Sequence, residues 1–174
     1  PDALAAGLLG DGARAAAEPV PREARTLSAV TWCVHAPTEG FTLDHHNVFF
    51  AEDYRAEFET IFRRRSIVPA PTVYVCAQDR GGATRPEPGA RERLLLLVNA
   101  PPDGDRAPMD SAATEAVAER AFALLRDCGL TVRRESGAEV ATTPAGFHAL
   151  FPATGGALYG RLGGGFNGSF ARPG

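Results

Sequence analysis

The 174-residue chain contains no lysine; all 18 of its basic residues are arginine. That absence excludes Schiff-base lysine chemistry and the Walker-type phosphate loop, both of which need the amine. Cysteine is also scarce. Cys33, Cys76 and Cys128 are odd in number, far apart and without metal-ligand spacing, so neither a disulfide scaffold nor a zinc ribbon is expected. They read as small buried hydrophobes of a reducing compartment. Excess positive charge is missing too: 21 acidic residues against 18 basic ones leave a net charge of -3. A nucleic-acid partner, which usually requires a basic face, is therefore not expected. No apolar run approaches the ~18 residues needed to span a bilayer. No basic stretch precedes an apolar run near Pro1, so no secretory signal is read, and the missing initiator Met suggests a piece of something longer.

What is present fits one domain with its own core: 44% of the residues are hydrophobic and 22% charged. Residues 1–26 form an Ala-, Gly- and Pro-rich lead-in with a short helix near 2–9. A β-branched strand is expected at 27–36, bounded by Pro37, then a turn at 38–44 and a short aromatic strand at 47–50. Residues 53–65 carry Tyr54, Phe58, Ile61 and Phe62 at helical spacing. Glu52 and Asp53 favour the start of that helix, and Arg63, Arg64 and Arg65 its end. Strands follow at 72–78 and 93–100, separated by a breaker-rich loop. The longest helix, 111–128, is capped by Asp110 or Ser111 and stopped by Gly129. Its expected apolar stripe is Val117, Ala121, Leu124, Leu125 and Cys128. Short strands at 131–134 and 138–142 are expected to pair with each other. Thr143-Pro144 marks a helix start, and a last strand is expected at 157–161. Strands and helices mix without strict alternation, which predicts an α+β fold: a mixed or antiparallel sheet layered with helices.

No catalytic motif stands out. Gly163-Gly164-Gly165-Phe166-Asn167-Gly168 satisfies G-x-G-x-x-G, but no helix or second strand fits after it, so it is read as accidental. Asp44-His45-His46 invites a metal, yet adjacent histidines on a strand point to opposite faces. No metal is expected; the pair reads as one buried and one exposed histidine at a strand entry. His35 and His148 have no identifiable partner. The three-arginine run reads as a solvated helix end. Glu57 and Glu59 are expected on opposite sides of their helix.

Three stretches, in order, carry a resemblance. The first is HHNVFFAEDYRAEF at 45–58, running on to Ile61-Phe62-Arg63-Arg64. The second is PTVYVCAQDR at 71–80, with LLLLVNAP at 94–101. The third is Thr143-Pro144, Phe147 and Phe151-Pro152, then GGALYGR at 155–161 and FARPG at 170–174. Together they resemble the FAD-dependent carotenoid desaturases of the phytoene-desaturase type, with the hydroxyneurosporene or 1-hydroxycarotenoid 3,4-desaturase branch nearest.

The resemblance implies a later-middle piece of an enzyme of about 500 residues, without the N-terminal FAD-binding motif or the C-terminal flavin segment. Residues 27–156 would be part of the substrate domain of an amine-oxidase-like flavoprotein. Residues 157–174 would head back to the FAD domain, although 162–167 lack the histidine or tryptophan frequent there in the family. The implied reaction removes two hydrogens from adjacent carbons of a polyene, one as hydride to the flavin. The protein's share is orientation and a dry apolar site.

Several expectations follow. Leu158, Tyr159, Gly160 and Arg161 would lie near the flavin. One sheet face bearing Trp32, Phe49, Tyr74, Leu95 and Leu97 would line the carotenoid site. The parent enzyme would be a cytoplasmic bacterial protein peripherally attached to the membrane, with the short helix at 144–151 a candidate contact. The 174 residues alone would hold no FAD and be inactive. Two rivals stand beside this reading: a free-standing apolar-ligand module, and a related flavin oxidoreductase, retinol-saturase-like, acting on another lipid.

Overall fold

The computed structural model describes residues 2–82, 85–135 and 137–159. The lead-in begins with a single helical turn, α1 (Asp2–Ala5). The sheet then starts with β1 (Ser28–Gly40) and β2 (His46–Phe49). Helix α2 (Tyr54–Glu59) runs directly into a π-helical turn at Thr60–Arg64. Next come β3 (Val73–Ala77), β4 (Arg91–Ala100) and α3 (Ser111–Asp127). Two short strands, β5 (Leu130–Val132) and β6 (Glu139–Thr142), precede α4 (Pro144–Leu150).

The fold is α+β, and every described strand pairing is antiparallel. The sheet order is β2-β3-β4-β1-β5, with β6 also on β1. The expected pairing of the two short strands with each other does not occur. Both lie along the same edge of β1 instead, β6 on Thr31–Val34 and β5 on Thr38–Gly40. This is possible because β1 is longer than expected. Pro37 does not end it; the residue sits opposite Arg91, and its carbonyl accepts the Arg133 N–H. Proline lacks only a donor, so a strand tolerates it where no partner needs that donor.

The local chemistry of the helices matches their boundaries. The Asp53, Asp110 and Thr143 side chains accept from Ala56, Ala113 and Gly146 N–H groups, capping α2, α3 and α4. Gly129, at φ 86°, turns the chain out of α3 in a conformation that favours glycine. The buried stripe of α3 is Val117, Ala118, Ala121, Phe122 and Leu125; Leu124 is half-buried and Cys128 exposed. The π turn shifts the register after α2. Ile61 is therefore fully buried while Tyr54 stays exposed, and the expected four-residue face is divided.

One core cluster joins α3 to one face of the sheet. Its ionic frame is made of buried carboxylates. Asp103 accepts from Arg22 Nε and from Arg65 Nε and Nη2 at 2.7–2.8 Å. Glu92 is gripped by Arg80 and by the Thr38 hydroxyl. Of the three-arginine run, Arg63 and Arg64 are exposed, but Arg65 is clamped onto Asp103 rather than solvated.

Candidate functional site: the open face of the sheet

The register assigns each strand residue to a face. One transverse row runs Asn47, Val75, Leu96, Trp32, Ala141, flanked by Phe49, Val73, Val98 and Val30. These belong to the side packed in the core cluster with α3. The opposite side carries two other rows. The first is Val48, Tyr74, Leu97, Thr31, Thr142; the second is His46, Cys76, Leu95, Cys33, Val140. Spanning five strands, each row is about 19 Å long.

The five residues expected to share one lining therefore do not. Trp32 is 1% exposed and Phe49 5%, both within the core. Tyr74, Leu95 and Leu97 lie on the open side, all half-buried. The physical reason is the two-residue period of a strand: Trp32 pairs with Leu96, whereas Leu95 and Leu97 pair with Cys33 and Thr31. The run of four leucines hid this, because it offers no polar–apolar alternation.

The sequence reading also passed over Val48, Cys33 and Val140, which extend the open face. Val48 is 49% exposed and Val140 67%. With the half-buried Leu95 and Leu97 between them, they give this side of the sheet apolar residues that the described chain leaves in part uncovered. Three aromatics continue from Val48: Phe50, Tyr54 and Phe58 step edge to face with centroids 5.0–5.2 Å apart. Phe50 and Tyr54 are exposed.

The end of the open face is closed by Glu57, a fully buried carboxylate. Its oxygens accept the Thr72 N–H at 2.9 Å and the Asn99 amide at 3.0 Å. Helical spacing set it on the opposite side from Glu59, which is exposed and paired with Arg55, but did not announce its burial.

Polar groups gather at the β2 edge. The Tyr74 hydroxyl is 2.7 Å from His46 Nδ1. Burial first, then Cys76 and Tyr159, push the Tyr74 phenol above its ordinary value. His45 lies just before β2, so strand alternation does not govern it. Its ring folds back beside His46, 4.3 Å between centroids, and Nε2 reaches 3.8 Å from Cys76 Sγ. The two histidines thus converge instead of diverging, with His45 half-buried and His46 exposed.

Leu158 and Tyr159 run beside the start of β1. Leu158 N–H donates to the Leu27 carbonyl, and Tyr159 N–H to Thr26 Oγ1. Tyr159 itself is 68% exposed. Residues 157–159 do not form the expected strand; Gly160 and Arg161, like the 163–168 glycine pattern, lie outside the described residues. The path to this stretch is fixed by Gly156, at φ 85°, where an added Cβ would lie 2.3 Å from the Pro144 carbonyl oxygen.

Comparison with known proteins adds the decisive observation. The hydroxyneurosporene desaturase of Rubrivivax gelatinosus is 52% identical over 98% of this chain and 32% of its own length. The Cereibacter sphaeroides hydroxyneurosporene desaturase is 40% identical over 99% of the chain and 34% of its own length.

By sequence, the chain is related to a segment of the carotenoid desaturases.

It spans about a third of the length of these curated relatives. The 1-hydroxycarotenoid 3,4-desaturase of a Flavobacterium is 30% identical over 68% of the chain. No protein-family model matches. Among the described residues, no helix is long and apolar enough to cross a membrane.

Proposed function

We propose that the polypeptide carrying this segment is an FAD-dependent carotenoid desaturase, and that the open sheet face is a wall of its polyene site. The observation that carries the reading is the pair of transverse rows, with Val48, Leu97, Leu95 and Val140 as their apolar residues, on a chain 52% identical to a hydroxyneurosporene desaturase. A polyene offers no hydrogen-bonding groups along its length, so it is held by shape and apolar contact. Leu95 and Leu97 supply that contact, and Tyr74 marks the polar edge. In this reading the segment is the substrate domain of an amine-oxidase-like flavoprotein, with residues 27–156 as its body.

The described residues do not fit the dinucleotide itself. They contain no strand, glycine loop and long helix in the order that cradles a pyrophosphate. The flavin, which would accept the hydrogens, is therefore assigned to other parts of the longer protein. Leu158 and Tyr159, with Gly160 and Arg161 following, are proposed to lead toward it. The segment alone is expected to be inactive. Membrane attachment is proposed to be peripheral on the cytoplasmic side, since a lipid-soluble substrate must be taken from the bilayer. The exposed Leu150 and Phe151 at the end of α4 suit that contact.

The test uses the full-length protein with 1-hydroxyneurosporene, following product by its longer-wavelength absorption. Leu97→Ser and Leu95→Ser should lower turnover several-fold while flavin content stays at wild-type level. Unchanged turnover in the double variant would remove the open face from the substrate site. The same face also supports a second reading, an apolar-ligand module: polyene uptake by flavin-free protein without any product would favour it. Product from another lipid instead would favour a related, retinol-saturase-like oxidoreductase.

A further inference from the structure

We propose that His45, His46 and Cys76 form a zinc site at the β2 edge of the sheet, independent of the polyene reading. One ligand atom from each of the three lies within 4.8 Å of the others. Nitrogen and sulfur ligands of tetrahedral zinc are separated by roughly 3.6 Å, given the usual metal–ligand lengths. The His45 Nε2 to Cys76 Sγ distance, 3.8 Å, is already close to that value.

The surroundings prepare the ligands. His45 Nδ1 lies 3.1 Å from the Ala77 carbonyl oxygen, which can only accept, so Nδ1 carries the proton there. The Nε2 lone pair is then directed at Cys76. A ligating histidine held by a backbone carbonyl through its other nitrogen is the usual outer-shell arrangement of zinc sites. The His46 ring is oriented by a 2.7 Å contact between its Nδ1 and the Tyr74 hydroxyl. The His45 ring also seats against Gly81, where an added Cβ would lie 2.8 Å from Nδ1. Cys76 is 9% exposed and paired with His46 across the β2–β3 ladder. Two imidazoles and a thiolate suit zinc better than magnesium or calcium, which prefer oxygen. The nearest carboxylate in sequence, Asp44, is engaged by Arg85. Three protein ligands leave a fourth position for water. The ion would pin a four-residue edge strand to its neighbour.

The experiment takes the full-length protein, strips it with a chelator and titrates Zn(II) against a chromophoric competitor. Zinc-edge X-ray absorption then reads the ligands. The expected result is one zinc per chain at this site, with one sulfur and at least two nitrogens in its shell. His46→Gln, whose ring is exposed and therefore dispensable for folding, and Cys76→Ser should each weaken binding about ten-fold or more. Cys33→Ser and Cys128→Ser should leave it unchanged. Zinc binding of equal strength in His46→Gln and Cys76→Ser, a shell without sulfur, or no zinc retained by the wild type would each overturn the proposal.

Discussion

The two faces of this sheet are built from the same strands and similar residues, yet they have different fates. On one, Leu94, Leu96 and Val98 meet α3 and are at most 2% exposed. On the other, Leu95 and Leu97 alternate with them and remain half-buried, beside Val48 and Val140 in the open. Only the first face gains its full burial energy within the described chain. Stability and function are therefore separable by parity along β4: even positions hold the fold, odd positions are free to meet something else.

That comparison can be broken most forcefully at Trp32. Truncation to Ala should cost about 3–5 kcal/mol by opening a cavity, measured by denaturant unfolding. A loss below 1 kcal/mol would mean the covered face is not the structural one. Asp103→Ala should come next, at about 2–3 kcal/mol. It strands Arg65 and Arg22 beside the groove of about 360 Å³ that runs along α3. A partly solvated pair costs less than a fully buried one, so a larger loss would show that the groove is drier than its lining suggests.

The same ion cluster fixes an acid sensitivity. Burial raises the Asp103 carboxyl, but hydrogen bonds and charge from Arg22 and Arg65 outweigh it and hold it at about 2, below its ordinary 3.8. The folded state therefore binds the proton less well than the unfolded one. The contribution is fully present above about pH 4 and is lost as pH falls toward 2, amounting to roughly 2 kcal/mol. Melting followed from pH 5 to pH 2 should show this decline, and Asp103→Asn should flatten it. An unchanged slope in that variant would assign the acid loss to other carboxylates. The smallest stability effect belongs to the open face: Val140→Ser should change stability by at most about 0.5 kcal/mol. A loss near 2 kcal/mol would show that the face is covered after all.

Much of the architecture was legible in the sequence because local chemistry specified it. Asp110, Gly129 and Thr143-Pro144 marked helix ends that the structure repeats, and the β-branched and leucine-rich runs became β1, β3 and β4. Facing was harder. LLLLVNA reads the same on both sides, so only its long-range register with β1 could divide Trp32 from Leu95. The fate of Pro37 and of the two short strands likewise depended on β1 continuing to Gly40, which no local motif announces. The His45–Cys76 approach joins residues 31 positions apart. It required the β2–β3 pairing and a backbone that bends just before the strand, where the alternation rule no longer applies. Glu57 looked like any surface glutamate of a helix until Asn99 and Thr72 were brought to it.

The Leu158 N–H to Leu27 carbonyl bond and the Tyr159 N–H to Thr26 bond join points 131 and 133 positions apart. The two ends of the sheet-bearing stretch thus meet side by side, and Arg22 and Arg25 of the lead-in are tied to it as well, through Asp103 and Asp105. Ends that lie close together are the arrangement in which a unit of a longer polypeptide tolerates insertion with little rearrangement around it. The same separation also means that this contact can close only after nearly the whole unit has been synthesised.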